Sequence, residues 1–479
     1  MDGKFRPLRI ISIVLLICAF LFAGMVFCNS MRPLKIYVPE EMNFSSEDSR
    51  WSFRRSKESK HFVLFWEADF GADPNSSQLP EAMRVDPDEL LEIAERCYST
   101  NTASLGFGPE KGKKSYLKEY KMMIFLHYQE EWLAAGSGYD DVVGALWVNP
   151  AACRSGSTIA HEIGHCFQYQ VYCDYLLNGG EADTGNGFRY SYEDGFGNTF
   201  WEQSAQWQAY QDYPEEAFNR YDMEEWAEHC NLSFEHEWVR YQSYWLFYAL
   251  QQRHGPDVVS GIWKNSRRPE DALGTYLRLY CNDDVEKLNE FLYYYASHAA
   301  TYDFDGVRAY ADEWIGSYAP VFYQTGENVW QISYHDCPEE GGYNVVPLPI
   351  EEGQTEISVT LESLSIGTSL AEGDPGIYMV GEDGQLVGGN AADYNSHISS
   401  QEEFASGHRF GFVVLTQWGE RIYSEMYTQG TAVFSIPDNT SRLFLTVVGA
   451  APQYSVHIWD EDESTDHKLP YRISFGSDE

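Results

Sequence analysis

The hydrophobic pattern of this 479-residue chain changes twice, and no other feature of the sequence constrains the fold as much. Over residues 61–148, apolar runs of strand length accompany one helical pattern, and over residues 157–298 helical spacing predominates. Strands followed by helices are typical of the α+β class. Beyond Cys337, short strand-like runs separated by turn signals are typical of a β-sandwich. We therefore expect an α+β domain over residues 61–336 and an all-β sandwich domain over residues 337–479.

The period of the apolar residues also predicts the individual elements. Early strands are predicted at 61–66, 121–127 and 142–148, and helices at 86–100, 157–175, 199–212, 238–252, 257–264 and 285–298. Later strands are predicted at 357–361, 376–380, 410–415, 432–436, 443–448, 454–459 and 471–475. The stretch 179–197 is rich in Gly and Asp and is predicted to be a loop.

Residues 1–28 have the organisation of an export signal. Three basic residues precede an apolar run over residues 10–28. These 19 residues make a long run for a cleaved signal, and one that is long enough to cross a bilayer. We expect a signal peptide or a signal anchor, with membrane attachment through this run if it is retained, and an extracellular or cell-surface location. Residues 29–60 are polar and rich in Ser and charged residues, and we expect them to form a stalk or linker.

The charge and the cysteines narrow the classes of partner and site. With 33 basic and 73 acidic residues the net charge is −40, so nucleic acid is excluded as a partner because its phosphates would be repelled. Seven cysteines follow the apolar run, and export would permit disulfides. Their odd number leaves at least one thiol unpaired. No CxxC pair is present, which argues against a zinc ribbon.

The sequence His161-Glu162-Ile163-Gly164-His165 predicts a zinc site on a helix. Histidines four residues apart lie on one helical face, where both ring nitrogens can bind one ion. Glu162 lies about 100° further round the helix, beside the ion, where it can act as the general base for a water molecule on zinc.

A catalytic zinc site needs a third protein ligand, and several carboxylates follow the motif. Gln168 and Val171 occupy the positions where metzincins have Gly and His, so that class is excluded. The remaining candidates are Glu181, Asp183, Glu193, Asp194 and Glu202. The first four belong to the predicted loop, whereas Glu202 belongs to a predicted helix. We favour Glu202, because a ligand on a rigid helix is held more accurately than one on a loop.

Three segments together resemble a family of exported bacterial and fungal zincin-like proteins, similar to the gluzincins. They are residues 62–70 (FVLFWEADF), 161–168 (HEIGHCFQ) and 201–207 (WEQSAQW), and the resemblance covers about residues 61–330. It implies a zincin-like metallopeptidase domain over residues 61–336. It also implies Zn²⁺ as cofactor, His161, His165 and Glu202 as ligands, and Glu162 as base. Many gluzincins have Asp four residues after the ligand Glu, and here that position is Gln206, which can accept the same hydrogen bond without bringing a charge.

Hydrolysis of a peptide also needs a donor for the developing oxyanion. The segment 240–245 (RYQSYW) offers Tyr241 and Tyr244 as candidates. In a chain with 34 tyrosines, the alternative is that these rings only pack in the core.

The function we expect is a zinc endopeptidase acting on extracellular proteins or glycoproteins. One alternative is a catalytically weak or inactive zincin-like protein that binds a glycan or surface polymer, with the aromatic-rich C-terminal domain in contact with the glycan. Another is a hydrolase with a non-peptide substrate. The intact Glu162 favours turnover, because zinc binding alone does not require a carboxylate at that position.

Overall fold

The computed structural model describes residues 33–181, 198–376, 379–380, 386–387, 391–398, 404–457 and 466–476. Within these residues the chain combines helices and strands in four sheets. This confirms the prediction of a mixed α and β fold. The predicted export signal and most of the predicted loop at 179–197 lie outside the described residues.

The first sheet has five strands in the order β1-β2-β3-β5-β4. They are β1 (Ser56–Glu58), β2 (Phe62–Trp66), β3 (Met122–Leu126), β4 (Ala134–Tyr139) and β5 (Val143–Val148). β2, β3 and β5 are parallel, whereas the two edge strands β1 and β4 are antiparallel to their neighbours. β2 and β3 are continuous apolar runs with every residue buried, as expected for central parallel strands that are covered on both faces.

Eight α-helices of the described chain lie between the strands of this sheet or follow them in sequence. They are α1 (Pro87–Ser99), α2 (Gly156–Leu177), α3 (Asn198–Tyr210), α4 (Arg220–His229), α5 (Trp245–His254), α6 (Val258–Asn265), α7 (Ala272–Tyr280) and α8 (Val285–Ala299). α1 connects β2 to β3, and Asp86 caps its N-terminus by accepting the backbone N–H groups of Asp88 and Glu89. The sheet and the helices share one large apolar core.

The remaining strands form the C-terminal part. They are β6 (Phe322–Gly326), β7 (Val329–Ile332), β8 (Tyr343–Leu348), β9 (Glu356–Ser363), β10 (Met379–Val380), β11 (Leu386–Val387), β12 (His408–Thr416), β13 (Arg421–Tyr423), β14 (Gly430–Ser435), β15 (Thr440–Gly449) and β16 (Tyr471–Phe475). One sheet has the order β13-β12-β15-β8, another β14-β9-β16-β7-β6, and β10 pairs with β11. Side chains from the two larger sheets form a second apolar core.

The four-stranded sheet also joins the two parts of the chain. Val413, Phe444 and Val448 on this sheet belong to the large core, together with residues of the helices. Arg409 of β12 forms an ion pair with Glu286 of α8. The four-stranded sheet therefore has apolar contacts on both faces. The helices lie on one side of it, and the sheet β14-β9-β16-β7-β6 lies on the other.

The segment predicted as a stalk, residues 29–60, packs against the first sheet from residue 33 onward, so that prediction is wrong there. Phe44 is 1% exposed, and its ring stacks on Phe65 with 4.3 Å between the centroids. Trp51 packs against Phe125 in the same layer. The few apolar residues of this polar segment complete the core, and tertiary contacts of this kind leave no periodic signal in the sequence.

Other predictions are corrected or limited by the structure. Residues 454–457 are not a strand, although a strand was expected at 454–459, and residues 458–459 lie outside the described chain. The seven described cysteines are all free thiols. Within the described part of the chain, no helix combines the length and apolar character needed to cross a membrane.

We expect Phe44→Ala to lower the free energy of unfolding by about 3–5 kcal/mol, because it removes a fully buried ring from the core. Urea unfolding of the full chain measures this change. Trp418→Ala is the control, because Trp418 is 75% exposed and its loss should change the free energy by less than about 0.5 kcal/mol. Equal effects of the two substitutions would contradict the packing described for residues 33–60.

Candidate metal centre

Helix α2 carries the HExxH motif with both histidines on one face. Its N-terminus is capped by Ser155, whose hydroxyl accepts the backbone N–H of Thr158 at 3.1 Å. One helical turn separates His161 from His165, and their ring centroids lie 4.5 Å apart. The two residues are only 8% and 3% exposed. The helix therefore holds two buried imidazoles side by side.

The close approach of α3 to α2 brings the carboxylate of Glu202 to these imidazoles. A Cβ added at Gly164 would lie 3.2 Å from the Cα of Ala205, so small residues on both helices allow the contact. Glu202 Oε2 lies 3.1 Å from His161 Nε2 and 3.3 Å from His165 Nε2. Ligand atoms of the three residues all lie within 4.8 Å of one another. The structure thus brings together the three ligands that the sequence predicts.

The edge strand β4 passes directly over the motif. A Cβ added at Gly136 would lie 2.2 Å from the carbonyl oxygen of Glu162 and 2.7 Å from the Cβ of His165. A glycine at this position therefore allows the strand to contact the helix backbone. As a result, β4 forms one wall of the space above the histidines.

Hydrogen bonds to glutamines determine which nitrogen of each histidine is protonated. His161 Nδ1 lies 2.7 Å from Gln206 Oε1, and His165 Nδ1 lies 2.9 Å from Gln168 Oε1. Gln168 donates through its Nε2 to the backbone carbonyl of Trp201, which can only accept, so its oxygen must face His165. An amide oxygen also only accepts, so both histidines donate from Nδ1 and direct Nε2 toward the carboxylate.

A cation would stabilise the arrangement of the two Nε2 atoms and the carboxylate. A neutral imidazole with its proton on Nδ1 has a lone pair on Nε2, so two nitrogen acceptors face one oxygen of Glu202 and three acceptors meet. Burial acts to lower the pKa of His161, but the hydrogen bond with Glu202 and the charge of Glu162 outweigh it and raise this pKa. Burial acts to raise the pKa of Glu202, yet the charge of His165 and the hydrogen bonds of both histidines hold it well below its usual range. A proton on one Nε2 would satisfy two of the three acceptors, whereas a metal ion could bind all three.

A cleft of about 590 Å³ opens above these atoms. His161, His165 and Glu202 line it together with Glu162, and β4 forms part of its wall. Trp132, which is 59% exposed, lies at the same cleft. The cleft is large enough to admit part of a ligand, and the face of α2 that carries both histidines lies at its floor.

Of the two predicted oxyanion donors, the structure brings only Tyr241 to the cleft. Its ring lies 6.2 Å from that of His161. Burial and the charge of Glu202 raise the pKa of the Tyr241 hydroxyl, so it stays protonated and can donate. Tyr244 is fully buried, and its hydroxyl donates to the carbonyl oxygen of Ala217 at 2.6 Å. The prediction for Tyr244 is therefore wrong, and core packing is its role.

Of the alternative third ligands, the structure describes only Glu181. Glu181 is exposed and lines a different pocket. Asp183, Glu193 and Asp194 lie outside the described residues.

Two residues that support His165 were not predicted. Gln168 is fully buried and accepts the Nδ1 proton, and the Trp201 ring stacks on His165 with 4.5 Å between centroids and 10° between planes. Gln168 is three residues after His165, so helical spacing could have indicated that the two side chains are neighbours. Trp201 precedes Glu202, and no sequence signal specifies its stacking.

Comparison with known proteins gives a family without an assigned function. The profile of a family of unknown function (DUF6055) matches residues 28–478. The chain belongs to this family. No curated protein matches the sequence. A crystal structure of a protein from Sulfurospirillum deleyianum is similar at 12% identity, covering 32% of this chain and 100% of that chain, with a TM-score of 0.16. So low a TM-score does not indicate a shared fold, and the site of this family member is interpreted from its own residues.

We expect Gly136→Ala to destabilise this family member by about 1–3 kcal/mol, because the added methyl group overlaps the backbone of α2. The matched control is Gly367→Ala, since an added Cβ there has no atom within 4 Å. The free energies of unfolding of both variants can be compared by urea titration. If Gly136→Ala is as stable as the control, the contact between β4 and the motif is wrong.

Proposed function

We propose that this protein is an exported zinc-dependent metallohydrolase, an endopeptidase that cleaves peptide bonds of extracellular proteins or glycoproteins. The observation that carries the proposal is the convergence of His161, His165 and Glu202 at the floor of an open cleft that Glu162 also lines. Two imidazole nitrogens and a carboxylate oxygen are the ligand set of many catalytic zinc sites, which keep the fourth position for water or substrate.

The surroundings of the three side chains also fit zinc. Both histidines would bind through Nε2, because their Nδ1 atoms donate to glutamine oxygens. A metal ion would take the place of a proton among the three acceptors. Described residues offer no sulfur ligand at the cleft, which agrees with a nitrogen and oxygen site.

Glu162 would act as the general base. It lines the cleft beside the ligand face of α2, so it could take a proton from the attacking water and deliver it to the leaving amine. Zinc, when bound, would polarise the substrate carbonyl and lower the pKa of a water molecule. The hydroxyl of Tyr241 would donate a hydrogen bond to the carbonyl oxygen as negative charge develops on it.

The finer interpretation of the fold belongs to the same proposal. A helix with HExxH under the edge strand of a mixed sheet, followed by a helix with the third ligand, supports a zincin-like domain of the gluzincin type. The two larger C-terminal sheets with their common core support a β-sandwich. The proposal of export and of membrane attachment rests on the sequence of residues 1–28. Contact between the C-terminal part and a glycan stays a prediction.

We expect the purified protein to hold about one zinc ion per chain and Glu202→Gln to hold much less, because the substitution removes the only anionic ligand. Metal analysis after dialysis against zinc-free buffer measures the difference. Glu181→Gln is the matched control, since Glu181 is exposed and lies away from the cleft. Full zinc content in Glu202→Gln would exclude this residue as a ligand.

We expect Glu162→Gln to keep its zinc but to hydrolyse a protein mixture about 10²–10⁴ times more slowly, because it removes the base and leaves the ligands in place. Tyr241→Phe should lower kcat with little change in KM, as expected for a group that acts in the transition state. Activity of Glu162→Gln equal to that of the unmodified protein would refute the catalytic assignment.

A further inference from the structure

Behind His161, a line of hydrogen bonds leads away from the cleft to the buried carboxylate of Asp222. Gln206 Nε2 lies 3.0 Å from the hydroxyl oxygen of Tyr210, and that hydroxyl lies 3.2 Å from Asp222 Oδ2. We propose that Asp222 is a positioning residue that orients Gln206 through Tyr210 and so presents Nε2 of His161 to the cleft.

Each hydrogen bond in this line has a fixed direction. A carboxylate only accepts, so the Tyr210 hydroxyl must donate to Asp222. The oxygen of Tyr210 is then left to accept, and it receives the amide N–H of Gln206. The amide oxygen of Gln206 must therefore face His161, so His161 donates from Nδ1. One carboxylate thus determines the protonated nitrogen of a proposed ligand that it does not touch.

Asp222 is itself held in one orientation. It lies on α4 and is only 9% exposed. Its backbone N–H donates to Asn219 Oδ1 at 3.0 Å, which turns the Asn219 amide so that its Nδ2 donates to Asp222 Oδ2 at 2.6 Å. Gln242 Nε2 donates to the other carboxylate oxygen at 3.0 Å. Tyr210, Asn219 and Gln242 thus donate three hydrogen bonds to its two oxygens. These bonds hold the carboxylate in one orientation at the end of the series of hydrogen bonds.

The two histidines are therefore oriented by different means. Gln168, which accepts from His165, is turned by the backbone carbonyl of Trp201 and needs no charged group. Gln206, which accepts from His161, depends on Asp222. Removing Asp222 should affect His161 and leave His165 unchanged, and this asymmetry separates a positioning role from a general loss of structure.

The test compares substitutions that break the line with substitutions that keep it. In Asp222→Ala and Tyr210→Phe, Gln206 is free to reverse and donate to Nδ1 of His161, which moves the histidine proton to Nε2. Asp222→Asn should retain the line, because Asn219 donates to the Oδ2 position and favours an oxygen there. Gln242→Ala should also retain it, since Tyr210, Gln206 and Asp222 remain.

The readout is ¹⁵N NMR of labelled histidine in the metal-free full chain, at a pH where both rings are neutral. We expect the share of His161 with its proton on Nδ1 to fall in Asp222→Ala and Tyr210→Phe relative to the unmodified protein. Asp222→Asn and Gln242→Ala should match the unmodified protein, and His165 should not change in any variant. An unchanged His161 in both Asp222→Ala and Tyr210→Phe, or Asp222→Asn behaving like Asp222→Ala, would overturn the proposal.

The consequence for metal binding rests on the proposed function. In a zinc titration, Asp222→Ala and Tyr210→Phe should bind zinc about 10–100 times more weakly, and Asp222→Asn about as well as the unmodified protein. Equal zinc affinity in all variants would overturn a role of Asp222 in metal binding. If the unmodified protein binds no zinc, the proposed function fails, whereas the NMR comparison still decides whether Asp222 orients His161.

Discussion

The close contact between α2 and α3 at Gly164 and Ala205 is the constraint on which the site depends. Because small residues meet there, the carboxylate of Glu202 reaches both histidines of the neighbouring helix. The contact gathers three acceptors around one point, two of them on buried imidazoles, and a cation among them would stabilise the arrangement. The same packing directs the histidines into the cleft and places the glutamines behind them.

Much of this site could be predicted from the sequence, because helical geometry is local. The spacing of His161 and His165 determines their common face, and a predicted helix was the argument for Glu202. From its position four residues after Glu202, Gln206 can accept a hydrogen bond from a ligand histidine, and in the structure its Oε1 lies 2.7 Å from Nδ1 of His161. These predictions needed only the period of one helix or the position of a residue within it.

Contacts between distant segments could not be predicted in this way. Strand β4 was missed because Ala134–Tyr139 is a run of small and polar residues without apolar alternation, and its role follows from passing over α2. The residues after 33 were expected to form a stalk because Phe44 and Trp51 are isolated in a polar segment. Tyr244 and Tyr241 are equivalent in sequence terms, and only the tertiary fold separates the buried ring from the one at the cleft.

The site proposed for this member of a family of unknown function is a zinc ion held by two histidines and a carboxylate. Zinc X-ray absorption spectroscopy of the purified full chain tests this claim most directly. We predict a first shell of nitrogen and oxygen atoms only, at about 2.0–2.2 Å, with the outer-shell scattering of two imidazoles. A sulfur shell at about 2.3 Å, scattering from fewer than two imidazoles, or the absence of bound zinc would contradict the proposed site.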